Sequence, residues 1–191
     1  MLSVLVRFVQ RSWPWLLAFQ LVAFVIWLLS QGLTAESQVR HRAEGFRRAL
    51  AEGRSAKAWH MVSKSYRDQW GMDRDQIGSA FRDVSRQFLT LRVEWIDPQF
   101  AAGPDDTITL TTKPKLDGKS ISPIGEVMLS TARRLDQPFT FHWKKEGWWP
   151  WTWRLVNITN PDLELPAGYS PGMFSDKPIS LEEAMRQAAG Q

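Results

Sequence analysis

With 191 residues, 24 lysines and arginines against 20 aspartates and glutamates, three histidines and no cysteine, the chain has room for one ordinary domain and no cysteine-built zinc site. Arg7 and Arg11 precede every acidic residue, so the body beyond them carries 22 basic against 20 acidic groups. A surplus of two is not the footprint of a nucleic-acid binder, which needs a clustered basic face; the arginines over 40–48 are the one local exception.

Residues 1–12 form a short basic tail, and residues 12–35 carry no charge. Residues 13–29 read WPWLLAFQLVAFVIWLL, with Gln20 the only strongly polar side chain. Extended to Leu33, the segment has about 20 residues, enough helix to cross a hydrocarbon core of about 30 Å. Trp13, Trp15 and Trp27 lie near its ends, where indoles settle at headgroup level. A transmembrane signal anchor is expected over 13–33. The rival is a cleaved leader, which would make the domain a secreted one. Its only small-x-small candidate, Leu33-Thr34-Ala35, has a bulky Leu where a small residue is preferred. Basic residues flank both sides: Arg7 and Arg11 before the span, Arg40, Arg42, Arg47 and Arg48 after it. A plain positive-inside count leans slightly toward a cytoplasmic domain, but long domains translocate largely regardless of charge and the first basic segment often dominates. The expectation is therefore a single-pass inner-membrane protein whose C-terminal domain faces the periplasm or the outside, with the arginine cluster on a solvated helix face near the headgroups.

Val39, Ala43, Phe46 and Leu50 recur at spacings of four, three and four and predict one helix over 36–52. Gly53 ends it, and a second helical stretch is expected over 55–65. Asp73 makes an N-cap for a third helix with Ile77, Phe81, Val84 and Phe88 as its stripe. Alternation then begins. Leu89, Leu91, Val93 and Trp95 share one strand face, and Asp97-Pro98 is expected to close that strand. A turn at 103–106 leads into a strand over 107–113 with Ile108 and Leu110 inward. Residues 115–137 read weakly, as a short strand near Ile121 and a helical turn over 127–135. Phe139, Phe141 and Trp143 alternate into a hairpin that turns at Lys145-Glu146-Gly147 and returns over 151–158. Residues 161–178 are Pro/Gly-rich, and Ser180 with Glu183 caps a short helix over 181–189. Helices first and antiparallel strands after them define an α+β domain, with helices on one face of a strongly curved sheet.

Tyr66-Arg67-Asp68-Gln69-Trp70-Gly71 before a capped helix, and PFTFHWKKEGWWPWTWRLVNITNPDLELP over 138–166, resemble nuclear-transport-factor-2-like domains of the cystatin-like cone superfamily. The resemblance covers residues 36–166 and leaves 167–191 as a tail. It implies a bent sheet wrapped around the helices with an apolar cavity. Trp59, Tyr66, Phe81, Phe88, Phe141, Trp143 and Trp153 are the candidates to line it, with Trp143, Trp151 and Trp153 filling the wide end. The extra tryptophans and the long 115–137 segment depart from a compact cone.

Enzymes of that superfamily, such as ketosteroid isomerases and polyketide cyclases, use a buried carboxylate or His as proton-transfer base. Here His60, Asp68, Asp97 and His142 are the candidates, with Tyr66 as donor, and none sits in a matching motif. His142 alternates out of phase with Phe141, and Asp97 precedes Pro98 as a turn residue. No catalytic residue, metal ligand set or cofactor is therefore assigned. No glycine-rich phosphate loop and no nucleophile elbow occur. Trp148 and Trp149 follow the hairpin turn and cannot easily be buried by their own hairpin, so they dock under the 161–178 tail, on a partner or at the membrane interface, and are the interaction candidates. The reading is a membrane-tethered, non-catalytic binding or assembly module that self-associates or docks a protein partner. The alternative is a cone binding a small apolar molecule, with isomerase- or cyclase-like proton transfer.

Overall fold

The computed structural model describes residues 19–25, 27, 34–149, 151–166 and 168–174. The expected span 13–33 falls largely outside them. Within it, residues 19–25 and 27 are helical and exposed. Among the described residues no helix is long and apolar enough to cross a membrane. The helix expected over 181–189 also lies outside the described residues.

Helix α1 (Ala35–Ala51) begins where the Thr34 side chain accepts from the Ser37 amide at 3.2 Å. Satisfying one of the orphan amides of the first turn is what fixes a helix start. Val39, Ala43, Phe46 and Ala49 are buried along one stripe, and Leu50 packs at its border. Gly53, at φ 67, supplies the left-handed residue that stops the helix. Helix α2 (Ser55–Trp59) is shorter than the periodicity predicts. The chain leaves it because the edge of the last strand offers better partners: the Leu155 amide donates to Met61 O at 2.9 Å and the Ser63 amide to Leu155 O at 2.8 Å. Helix α3 (Arg74–Arg86) carries the expected Asp73 cap, completed as a capping box by Gln76. Ile77 and Phe81 are buried as predicted. Val84 and Phe88 are only half-buried, whereas Asp83 is fully buried.

Among the described residues four antiparallel strands follow in sheet order β1-β2-β3-β4: β1 (Phe88–Ala102), β2 (Thr107–Ser120), β3 (Phe139–Lys145) and β4 (Trp153–Thr159). Asp97-Pro98 does not close β1 but bulges it. Ile96 pairs with Lys113 and Gln99 with Thr111, so Asp97 and Pro98 together oppose Thr112. Asp97 takes φ 47, and the Thr112 hydroxyl donates to Ile96 O at 2.8 Å. Proline is tolerated because β1 is an edge strand, where a missing N–H costs no ladder bond. Residues 115–120 extend β2, and helix α4 (Pro123–Arg134) follows, capped by Ser122. That segment read weakly because β3 pairs only with Thr107–Thr112. The outer half of the β1–β2 hairpin lacks a second neighbour, so it shows no clean inward alternation. Ile124 and Leu129 of α4 are buried.

The core lies between α1, α3 and one sheet face. Ile108, Leu110, Thr112, Phe141, Trp143, Trp153, Leu155 and Ile158 all turn inward and are buried. Phe46 sits edge-on to Phe81 at 5.6 Å and to Trp143 at 6.0 Å. Each such aromatic removes on the order of 150–250 Å² from water, roughly 4–6 kcal/mol gross at about 25 cal/mol/Å². Residues 160–166 and 168–174 pack back as an irregular strap. The buried Asn160 side chain accepts from the Asp162 and Leu163 amides and donates to Gln137 O, each at 2.9 Å. Asp83 accepts from the Gly172 amide at 2.7 Å and the Tyr169 hydroxyl at 3.3 Å.

Candidate functional site

The bulge at Asp97 builds the candidate site. Strict alternation would put Trp95, Asp97 and Gln99 on one face, but one extra residue shifts the phase. Trp95, Pro98 and Phe100 instead share a cleft with Ala43 of α1. The cleft, about 510 Å³, runs between α1 and the edge strand β1, and Arg40, Glu44, Arg47, Arg92 and Glu94 complete it. Its walls are apolar low down and charged at the rim.

The rim charges differ in how far they are committed. Arg40 pairs with Glu36 at 2.8 Å and lies over the Phe100 ring at 4.4 Å, a cation–π contact. Arg47 bonds both Glu44 oxygens and donates to Val93 O on the strand edge. That contact covers an unpaired edge carbonyl, a device that discourages edge-to-edge pairing. The Arg47 hydrogen bond, aided by the charges of Arg47 and Arg48, holds the Glu44 carboxyl below the usual range against the opposing effect of burial. A carboxylate so held is a poor proton acceptor. Arg92 and Glu94 have no ion pair among the described residues. The Trp95 indole N–H is buried without an acceptor.

The other candidates lie elsewhere, and none of the seven expected cavity residues lines this cleft. Phe81, Phe141, Trp143 and Trp153 are packed into the core with Tyr66. Trp59 is half-buried against α3: Gly78 lets its ring approach so closely that an added Cβ would stand 2.4 Å from Trp59 Cδ1. Arg74 covers that ring at 4.0 Å. Phe88 is half-buried at the start of β1.

Among the candidate bases, His60 is exposed beside Trp59, and Asp97 is exposed in the bulge. His142 is half-buried next to the Thr109 hydroxyl at 3.3 Å, and burial pulls its pKa below the ordinary value. Tyr66 and Asp68 do meet: the Tyr66 hydroxyl donates to Asp68 Oδ2 at 3.1 Å. The other oxygen, Oδ1, accepts from the Trp70 amide at 3.0 Å and the Met72 amide at 2.9 Å. Burial raises the Asp68 pKa despite those bonds, and raises that of Tyr66 further. The carboxylate thus organises the loop before α3.

Trp148, Trp149 and Trp151 are 76 %, 38 % and 53 % exposed. Their rings form a run, Trp148 to Trp149 at 3.9 Å and Trp149 to Trp151 at 4.7 Å. Trp151, expected inside, instead belongs with the turn, because β4 begins only at Trp153. Sequence reasoning missed Arg92, Glu94, Trp95, Pro98 and Phe100 as one site. The available signal was Asp-Pro within a continuing alternation, which marks a bulge rather than an end.

Neither a family model nor a curated protein matches the sequence. Over part of its length the chain is similar to solved structures. An uncharacterised protein with a cystatin-like fold from Caulobacter vibrioides is 15 % identical, with 67 % of this chain and 92 % of that one covered, at TM-score 0.49. A candidate dehydratase of the NTF2-like family from Streptomyces avermitilis is 12 % identical, with 65 % and 93 % covered, at TM-score 0.48. Bdellovibrio bacteriovorus Bd1075 is also 12 % identical at TM-score 0.48; 64 % of this chain is covered, but only 38 % of that longer protein. At these identities and scores the likeness assigns neither a family nor a residue role.

Proposed function

We propose that this chain is a binding module of the nuclear-transport-factor-2-like cone type that takes a small amphipathic anion in the cleft between α1 and β1. The supporting observation is the cleft's composition. Trp95, Pro98, Phe100 and Ala43 offer an apolar floor, and Arg92 stands at the rim without a carboxylate partner among the described residues. Such a site suits a flat or short apolar body ending in a carboxylate or phosphate. Proton transfer is not part of the proposal, since Glu44 is held ionised by arginines and both Asp68 oxygens are engaged. In the same reading residues 13–33 hold the module at the inner membrane with the domain facing outward; the uncharged run over residues 12–35 supports the insertion.

Calorimetric titration of 2-naphthoate and laurate into the purified full-length chain tests the ligand reading. Both should bind, and Arg92→Ser should weaken them about tenfold, one lost charge-assisted bond. The neutral alcohols of the same carbon skeletons should bind equally to both proteins. Equal carboxylate affinity in wild type and Arg92→Ser would overturn the assignment.

A further inference from the structure

The exposed tryptophan turn lies at the end of the domain where α1 begins. Gln38, in the first turn of α1 and only five residues beyond Leu33, accepts a hydrogen bond from the Trp153 indole at 2.9 Å. Trp153, the first residue of β4, is two residues along the chain from Trp151. Arg42, one helical turn further along α1, donates from Nε to Trp153 O at 3.3 Å. The ring run is thus tied through Trp153 to the start of α1.

A second, polar observation falls at the same place. Arg42 reaches the carbonyl of Trp153, the residue before Arg154, and neither arginine has a carboxylate partner among the described residues. Arg154 Nη1 is buried without an acceptor. Burial, together with the Arg154 charge, pulls the Arg42 pKa down. Two half-buried guanidinium groups without an anion are electrostatically uncomfortable, and a phosphate oxygen is the acceptor that fits their planar forks. Asp105, Asp106 and Glu146 occupy the turns of the same sheet end, the Lys145 amide donating to Asp106 O at 3.2 Å. This end is therefore no diffuse basic patch. It combines indoles with a localised cationic pair.

We infer that the Trp148–Trp149–Trp151 turn seats in the headgroup layer of the bilayer that holds residues 13–33, with Arg42 and Arg154 taking a phospholipid phosphate. This rests on the membrane-anchor reading above. Indoles prefer the interface because one edge is apolar and the N–H remains wet. Docking converts a swinging tether into a fixed orientation, with the loop-and-strap side of the domain held away from the lipid.

The chain has no cysteine, so single labels can be placed cleanly. Full-length Trp148→Cys and Glu126→Cys, each carrying an environment-sensitive fluorophore, are reconstituted into phosphatidylcholine vesicles with shallow spin-labelled lipid. Glu126 lies on α4, beyond the far end of β2, which at 14 residues spans about 45 Å. The label at 148 should be blue-shifted and quenched several-fold more than the label at 126. Arg42→Gln with Arg154→Gln should reduce that difference while the protein still floats with the vesicles. Flotation with equal quenching at both positions would overturn the docking and leave the anchor standing. Failure to float would overturn the anchor reading instead. Disulfide-linked pairs of the unlabelled Trp148→Cys variant, with no lipid quenching of its labelled form, would make the turn a contact between copies and sink the proposal.

Discussion

Five tryptophans fall between positions 143 and 153, and they divide into two groups with opposite fates. Trp143 and Trp153 are 0 % and 2 % exposed, while Trp148, Trp149 and Trp151 are each more than a third exposed. The cause is strand register. Trp143 and Trp153 occupy inward positions of β3 and β4, and the three between them belong to the turn, where no sheet face exists to bury them. The same residue type serves as filler in one place and as surface in the other. Trp143 even keeps its indole N–H buried without an acceptor, so bulk rather than polarity holds it there.

Substitution should separate the groups sharply. Trp143→Ala should cost about 3–5 kcal/mol, the range for emptying a large aromatic site in a core, read from urea unfolding. Trp148→Ser with Trp149→Ser should change stability by less than about 0.5 kcal/mol per site. A large loss from the double variant would mean that the turn is structural, and the comparison would fail.

The next effect concerns the strap. Asp83→Ala removes the acceptor of the Gly172 amide and the Tyr169 hydroxyl. A loss of about 1–3 kcal/mol is expected for stranded buried donors, with hydrogen exchange rising at residues 169–174 and unchanged in β3.

Smaller still is the loop carboxylate. Asp68 sits above its ordinary pKa, chiefly through burial. Its folded form thus retains the proton better than the unfolded chain does. Its contribution is full below the unfolded value of about 4 and fades as pH rises through the raised folded value. Stability of wild type relative to Asp68→Asn should therefore fall as pH rises from about 4. A relative stability independent of pH in that window would contradict the assigned environment. Asp68→Ala, by contrast, should be destabilising throughout, because Tyr66 and two amides lose their acceptor.

His142 is the mildest case. Its pKa lies below the ordinary value through burial, so its contribution is present above about 6.5 and is lost as pH falls through the folded value. A proton NMR titration of His142 with a midpoint above about 6.5 would reverse the sign.

Much of the fold was legible from local pattern. The α1 stripe, the Asp73 cap, the inward set of β2 and the β3 alternation follow from periods of 3.6 and 2. What escaped depended on tertiary partners. Residues 61–65 read as the end of a helix, but Met61 and Ser63 bond to Leu155 of β4, more than ninety positions away. Asp97-Pro98 read as an end because a lone edge strand tolerates what a central strand would not. The cleft escaped for the same reason, since its floor exists only through the phase shift of that bulge. Asp83 escaped because a charged residue on a helix stripe looks solvated until the strap covers it.

The central claim is that the packed interior is structural and that binding takes place at the α1–β1 cleft. Hydrogen exchange of the full-length chain with and without bound 2-naphthoate tests it most directly. Protection should appear in α1 around Arg40–Arg47 and in β1 around Arg92–Phe100. Protection confined to β3 and β4 around Phe141, Trp143 and Leu155, with α1 and β1 unchanged, would contradict the account.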